Sequence, residues 1–252
     1  MQIDLSLNRV YWEYIQTKTH LRPEFDYQCS SFIPSMGCRV TAPEYRRRGE
    51  SFKQDLDSLV AMFAKKYSDY KFVLALSGGI DSEVTAESFY TQGIPFRAVS
   101  QRLFEGVNDY DIGYAAKYCK ERSIDYSIVN LSVDKMMSYT IPDAVKHGQF
   151  THSYSQVALT NLYEDVKENE IIVFSGHNPD FHRKIGIGWW EDSPNIIKYA
   201  IAKKHKFFTF TSLEPIFCHY AAAFDDTQPG DKNNDFIYEA YPQLERRIKM
   251  TG

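Results

Sequence analysis

The chain has 252 residues, of which 43% are hydrophobic and 25% charged, and its formal net charge is −4. A chain of this length and polarity can bury one sizeable core or two modest ones. Without a basic surplus it is not built to coat a nucleic-acid backbone, which leaves only local basic patches for such contacts.

The N-terminal MQIDLSLNRVYWEY has no basic lead, apolar run and small-residue cleavage site, and no uncharged stretch reaches membrane-spanning length. A soluble, cytoplasmic protein with no membrane contact is expected. Residues 1–50 alternate turn formers (Pro23, Pro34, Gly37, Pro43) with short apolar pieces and end in Arg46-Arg47-Arg48, the pattern of an irregular extension. From residue 51 the pattern becomes regular, and 51–252 is read as one domain. Ser51 and Gln54 make a capping box for a helix with Phe52, Leu56, Leu59, Val60, Phe63 and Tyr67 at helical spacing. The continuous apolar run Phe72–Leu76 predicts a parallel strand covered on both faces. A helix from about Ser82 follows, burying Ala86, Phe89 and Tyr90 and stopped by Gly93 and Pro95.

The alternation continues with a strand near Phe96–Ser100, a helix on Ile112, Ala115, Ala116 and Cys119, and a strand near Tyr126–Leu131. A helix capped by Ser153 and Gln156 carries Leu159, Leu162, Tyr163 and Val166 on one face and leads to the strand Ile171–Phe174. Ser193-Pro194 opens a further helix before a last strand at Phe207–Thr211. The fold class is therefore α/β: a doubly wound, mainly parallel five-stranded sheet of Rossmann-like type, with ligands beyond the carboxyl ends of its strands.

At the carboxyl end of the first of these strands the chain reads Ser77-Gly78-Gly79-Ile80-Asp81-Ser82 and enters a helix. Two glycines permit positive φ and close backbone approach, the helix N-terminus adds amide donors and partial positive charge, and Ser77 and Ser82 add hydroxyls. This is a phosphate site without the lysine of G-x-x-x-x-G-K-[ST]. Asp81 beside a polyphosphate would repel it by roughly 4 kcal/mol per charge pair at an effective dielectric near 20, and a bridging Mg²⁺ reverses that.

Ser77–Ser82 resembles the SGGxDS signature of the PP-loop, or N-type, ATP pyrophosphatases. The resemblance implies the adenine nucleotide alpha hydrolase (HUP) variant of the fold, ATP as ligand, and cleavage between its α- and β-phosphates. Asp81, Ser77, Gly78, Gly79 and Ser82 would then hold phosphate and metal, and the strand ends Ala75-Leu76 and Val99-Ser100 would lie against adenine. Ser175-Gly176-His177-Asn178-Pro179-Asp180 is similar to the S-G-x-x-x-D segment of asparagine synthetases, which implies Gly176 near the nucleotide and Asp180 as partner of Asp81 on the metal. Phe181 stands where those enzymes often carry glutamate, a departure from asparagine-type chemistry.

Arg183 and Lys184 are candidates to neutralise the leaving pyrophosphate, with a solvated basic pair as the alternative. The glycine-spaced stretch Gly186-Ile187-Gly188 is read as a lid over the site, with Trp189-Trp190 on substrate or on the core. His177 and His182 do not have zinc-ligand spacing. His152 is either a substrate contact or a surface histidine. Arg46–Arg48 and Arg246-Arg247-Ile248-Lys249 are either anion-binding or solvent-facing.

The expected activity is adenylation of a carboxylate or carbonyl oxygen, on a small molecule or an RNA, for attack by an amine or ammonia. Gln2 stands in place of the cysteine that begins a glutaminase domain, so ammonia is expected from solution or a partner. A homodimer is the expected assembly. Two alternatives remain: a sulfur-transfer or sulfonucleotide reductase-like enzyme, against which Cys29, Cys38, Cys119 and Cys218 form no close pair, and a non-catalytic adenine-nucleotide-binding regulator.

Overall fold

The computed structural model describes residues 29–33, 37–40, 51–146, 154–175, 179–182, 187–190, 207–209 and 235–244. Its centre is a parallel sheet. Strands β3 (Lys71–Ala75), β4 (Phe96–Leu103), β5 (Tyr126–Leu131) and β6 (Glu170–Phe174) are joined at one edge by the three-residue β9 (Phe207–Thr209), in the order β5-β4-β3-β6-β9. The chain steps outward from β3 to β4 to β5, then returns to the other side of β3 as β6. The strand order therefore reverses between β3 and β6, where an open α/β sheet leaves a crevice.

The central strands β3 and β6 are apolar after their first residue because both faces are covered, whereas the edge strand β5 leaves Ile128 exposed. Alternate residues of β3 go to opposite cores, as period-two geometry requires. Phe72 and Leu74 join Leu56, Val60 and Phe63 of helix α1 (Phe52–Lys66), Phe89 of helix α2 (Ile80–Thr91) and Cys119 of helix α3 (Asp109–Glu121). Val73 joins Val99, Ile172, Leu162 and Tyr163 on the other side. The second face is covered by helix α6 (Tyr154–Leu159) and the 3₁₀ turn Thr160–Asp165. The sequence pattern predicts one continuous helix there. Between β5 and α6 the chain is helical over α4 (Val133–Lys135) and α5 (Ile141–Lys146), with a π turn at Met136–Thr140 between them that periodicity does not reveal.

Local signals work where expected. Ser51 caps α1, its hydroxyl accepting from the Gln54 amide at 3.3 Å. α2 begins at Ile80, two residues before the expected start, and Tyr90 on it is 45% exposed, not buried, because it faces away from the sheet side that takes Phe89. At the amino end of the sheet Arg97 makes two bonds to Glu170 (3.0 and 2.7 Å) and two to Asp165 (2.6 Å to the carboxylate, 2.8 Å to the carbonyl). These bonds bolt β4, β6 and the 3₁₀ turn together.

The C-terminal helix Asp235–Ala240 and the residues after it pack on α1 and α2, burying Ile237, Tyr241 and Leu244. The Tyr241 hydroxyl donates to Asp57 at 2.7 Å, and Ser88 donates to the same oxygen at 2.6 Å. Lys53 pairs with the other Asp57 oxygen. Glu87, buried in α2, accepts from Tyr118 (2.9 Å), Arg122 (2.7 Å) and Gln243 (2.8 Å).

Two further elements differ from expectation. Cys29–Ile33 (β1) and Gly37–Val40 (β2) form an antiparallel hairpin within the extension read as irregular. Pro179–His182 (β7) and Ile187–Trp190 (β8) pair as another, with Asp180 opposite Trp189. The expected helix after Ser193 lies outside the described residues. No described helix is long and apolar enough to cross a membrane.

Candidate active site

The loop Ser77–Gly79 lies at the carboxyl end of the sheet, the side on which open α/β sheets bind ligands, between the end of β3 and the first turn of α2. Gly78 has φ +83, a left-handed conformation natural to glycine. A Cβ there would stand 2.0 Å from the main-chain oxygen of Asp111, so the first turn of α3 abuts the loop. Gly79 is the N-cap of α2, and the leading amides and positive dipole end of that helix face the loop.

The serines knit the loop together. The buried Ser82 hydroxyl donates to the Gly79 carbonyl at 2.9 Å and accepts from the Ser77 amide at 3.2 Å. The two hydroxyls lie 3.1 Å apart, and the Gly79 amide donates to the Ser77 hydroxyl at 3.1 Å. Ser82 is therefore first a structural residue, while Ser77 is exposed at the mouth.

Asp81 is half-buried in the first turn of α2, and its main-chain carbonyl accepts from Thr85 (3.0 Å) and from the Ser175 hydroxyl at the end of β6 (3.3 Å). The Ser175 bond joins the two sides of the reversal point and fastens the end of β6 to the first turn of α2. Asp180 lies on β7. Gly176, Arg183, Lys184, His177 and His152 lie outside the described residues, as do Cys218 and the two arginine-rich stretches.

The two strand ends expected to lie against adenine are joined to each other. The Leu76 amide donates to the Val99 carbonyl at 2.9 Å, and the Leu76 carbonyl accepts from the Ser100 hydroxyl at 2.6 Å. Val99 and Ser100 are buried. The polar groups of Leu76 thus join β3 to β4. Ala75, half-buried beside them, packs against the α6-side core.

Sequence reasoning missed the β4–α3 connection at the same end of the sheet. Phe104, Glu105 and Gly106 have φ 42, 58 and 100 in succession. Asn108 holds the turn by accepting from the Leu103 amide and donating to the Gln101 carbonyl, both at 2.8 Å. Arg102 pairs with both oxygens of Asp109 at 2.6 and 2.5 Å, which holds the Asp109 carboxyl below its ordinary range. The only sequence signal was Asn108-Asp109 next to Gly106, an ordinary turn composition.

For a metal, the residues offer hard oxygen donors: Asp81 at the loop, and Asp180 on the strand that follows Ser175. Oxygen donors of this kind suit Mg²⁺ shared with phosphate oxygens and water. Among the described residues no group of three or more His, Cys, Asp or Glu side chains is gathered at one point. Cys119 is 1% exposed and burial pushes its thiol up to about 12, which makes it a core residue, not a nucleophile.

No family model matches the chain, and no curated protein matches it. Among solved structures it is similar to NMN synthetase from Francisella tularensis, with 15% identity, TM-score 0.41, and coverage of 79% of this chain and 97% of that one. It is also similar to the NH3-dependent NAD synthetase from Campylobacter jejuni, with 18% identity and TM-score 0.35, over 48% of this chain and 54% of that enzyme's length. A third likeness is to NAD+ synthetase from Burkholderia pseudomallei, with 13% identity, TM-score 0.34, and 89% and 94% coverage. The chemistry of the site rests on the residues of the loop itself.

Proposed function

We propose that this chain is a PP-loop ATP pyrophosphatase-type enzyme that transfers AMP from ATP to a carboxylate or carbonyl oxygen, expelling pyrophosphate, so that an amine or ammonia can displace AMP. The observation that carries this reading is the position of Ser77-Gly78-Gly79-Ile80-Asp81-Ser82 at the carboxyl end of β3, where the strand order reverses and α2 begins. The glycine turn and the α2 N-terminus bind the polyphosphate. Asp81 and Asp180 would hold Mg²⁺, which when bound offsets charge on the phosphate oxygens. Arg183 and Lys184 would meet the leaving pyrophosphate, and the acceptor oxygen would be held in line with the α-phosphorus.

Incubation with labelled ATP, Mg²⁺ and a pool of metabolites or RNA, read by pyrophosphate release and by mass analysis of the adenylated product, tests the reading. Asp81→Asn is expected to lower turnover by roughly 100-fold or more, the scale of one lost preorganised contact. Tight ATP binding with no pyrophosphate release for any acceptor would make the chain a nucleotide-binding regulator instead.

A further inference from the structure

We propose that the first turn of α3 is an autoinhibitory stop on the phosphate loop, held down by the Arg102–Asp109 pair and released when nucleotide enters. The proposal rests on the ATP-binding reading above and concerns how that same site opens.

The stop is visible at Gly78. The nearest atom to the place a Cβ would occupy is the Asp111 carbonyl oxygen, with its carbon behind it at 2.5 Å. The negative end of that carbonyl therefore stands against the turn meant to receive an anion, and the same helical turn carries the Asp109 and Asp111 carboxylates. The loop is also closed on itself: the Gly79 and Ser77 amides and the Ser82 hydroxyl all have partners within it. A phosphate group can take those donors only by displacing loop partners, and can approach Gly78 only if α3 backs away.

The connection before α3 is built to release. Phe104 and Glu105 occupy the left-handed region that L side chains rarely adopt, directly before Gly106, so relaxation of this turn is favoured. What opposes relaxation is the Asn108 clasp and the Arg102–Asp109 fork. The fork lies so close over Gly106 that a Cβ there would stand 2.3 Å from an Asp109 carboxylate oxygen. It is also solvent-exposed, with Arg102 and Asp109 side chains 42% and 49% accessible, which makes it a weak and reversible fastening. An entering polyphosphate repels Asp109, Asp111 and the Asp111 carbonyl, in the direction that strain relief also favours.

The test is calorimetric titration of MgATP into the wild-type chain, Asp109→Asn, Arg102→Ala, the milder Arg102→Lys, and the exchanged pair R102D/D109R, with hydrogen exchange followed at residues 104–112. Opening the fork is expected to tighten MgATP binding by about threefold, within the range exposed ion pairs contribute. Arg102→Ala is the discriminating variant, since plain charge attraction would make loss of an arginine weaken ATP binding. The exchanged pair is expected to return toward wild-type affinity. In the wild type, MgATP is expected to speed exchange of the Val107 and Ile112 amides, which bond to the Leu103 and Asn108 carbonyls. Unchanged or weaker binding by both arginine variants, or slower exchange at those amides on adding MgATP, overturns the stop while leaving the ATP reading intact. If every protein including the wild type fails to bind MgATP, the ATP reading falls and the stop falls with it.

Discussion

The Ser175 hydroxyl donates to the main-chain carbonyl of Asp81 across 3.3 Å, linking positions 94 residues apart in sequence. This bond spans the point where the strand order reverses, so the end of β6 is held against the first turn of α2. Ser175 also opens the sequence segment that ends in Asp180, the second acidic residue of the proposed metal site.

Gly78→Ala is expected to lower stability by about 2 kcal/mol or more, since a left-handed non-glycine residue costs on the order of 1–3 kcal/mol and the new Cβ would strike the Asp111 carbonyl. Urea unfolding measures this. An alanine variant as stable as the wild type would mean that the loop does not hold this conformation in solution.

Ser82→Ala removes the partner of the Ser77 amide and the donor to the Gly79 carbonyl. Loss of a buried donor-acceptor group typically costs about 1–3 kcal/mol. A lowered melting temperature together with weakened MgATP binding is expected, because the hydroxyl shapes the loop that the phosphate meets. A melt shifted with ATP affinity unchanged would separate the two roles.

Glu170 is 4% exposed and its carboxyl lies below the ordinary range, chiefly because the Arg97 guanidinium hydrogen-bonds it. A carboxyl with a depressed folded pKa contributes stability that is present above its unfolded value near 4.3 and is lost as pH falls through the folded value. Glu170→Ala is expected to cost about 2 kcal/mol at neutral pH, because a partly buried arginine loses two charge-assisted bonds and keeps only Asp165. The gap between variant and wild type should narrow as pH is lowered below about 4. Denaturation curves at neutral and acid pH check both points; a gap independent of pH would remove the ionised pair as its cause.

Tyr118 and Tyr241 have phenols raised well above the usual tyrosine range, first by burial and then by the carboxylates of Glu87 and Asp57. Their neutral forms are favoured in the fold, so their contribution is complete below the unfolded value near 10 and declines as pH rises above it. Alkaline unfolding followed by tyrosinate absorbance should begin above about pH 10. Tyr241→Phe is expected to cost about 1 kcal/mol at neutral pH through the lost bond to Asp57, and to make the alkaline decline shallower.

Much of the architecture was legible in the sequence because burial on both sheet faces forces continuous apolar strands, and one-sided helix burial forces helical spacing. Hence β6 covers the expected Ile171–Phe174, buried along its length, and Cys119 is core. Tyr90 was misread because the helical stripe through Ala86 and Phe89 does not say how wide the buried face is. The β7–β8 hairpin escaped because glycine spacing at Gly186 and Gly188 reads equally as loop.

The sequence by itself determined the alternation of strands and helices, the glycine turn after the first sheet strand and the acidic residue beside it, since each depends on residue type and near neighbours. Only the tertiary structure decided that the Leu76 polar groups join β3 to β4, that Ser175 reaches Asp81, and that the Asp111 carbonyl stands against Gly78. Those contacts are made between elements brought together by packing of the sheet, and each has a main-chain carbonyl or amide as a partner, an atom common to every residue, so side-chain identity alone does not reveal them.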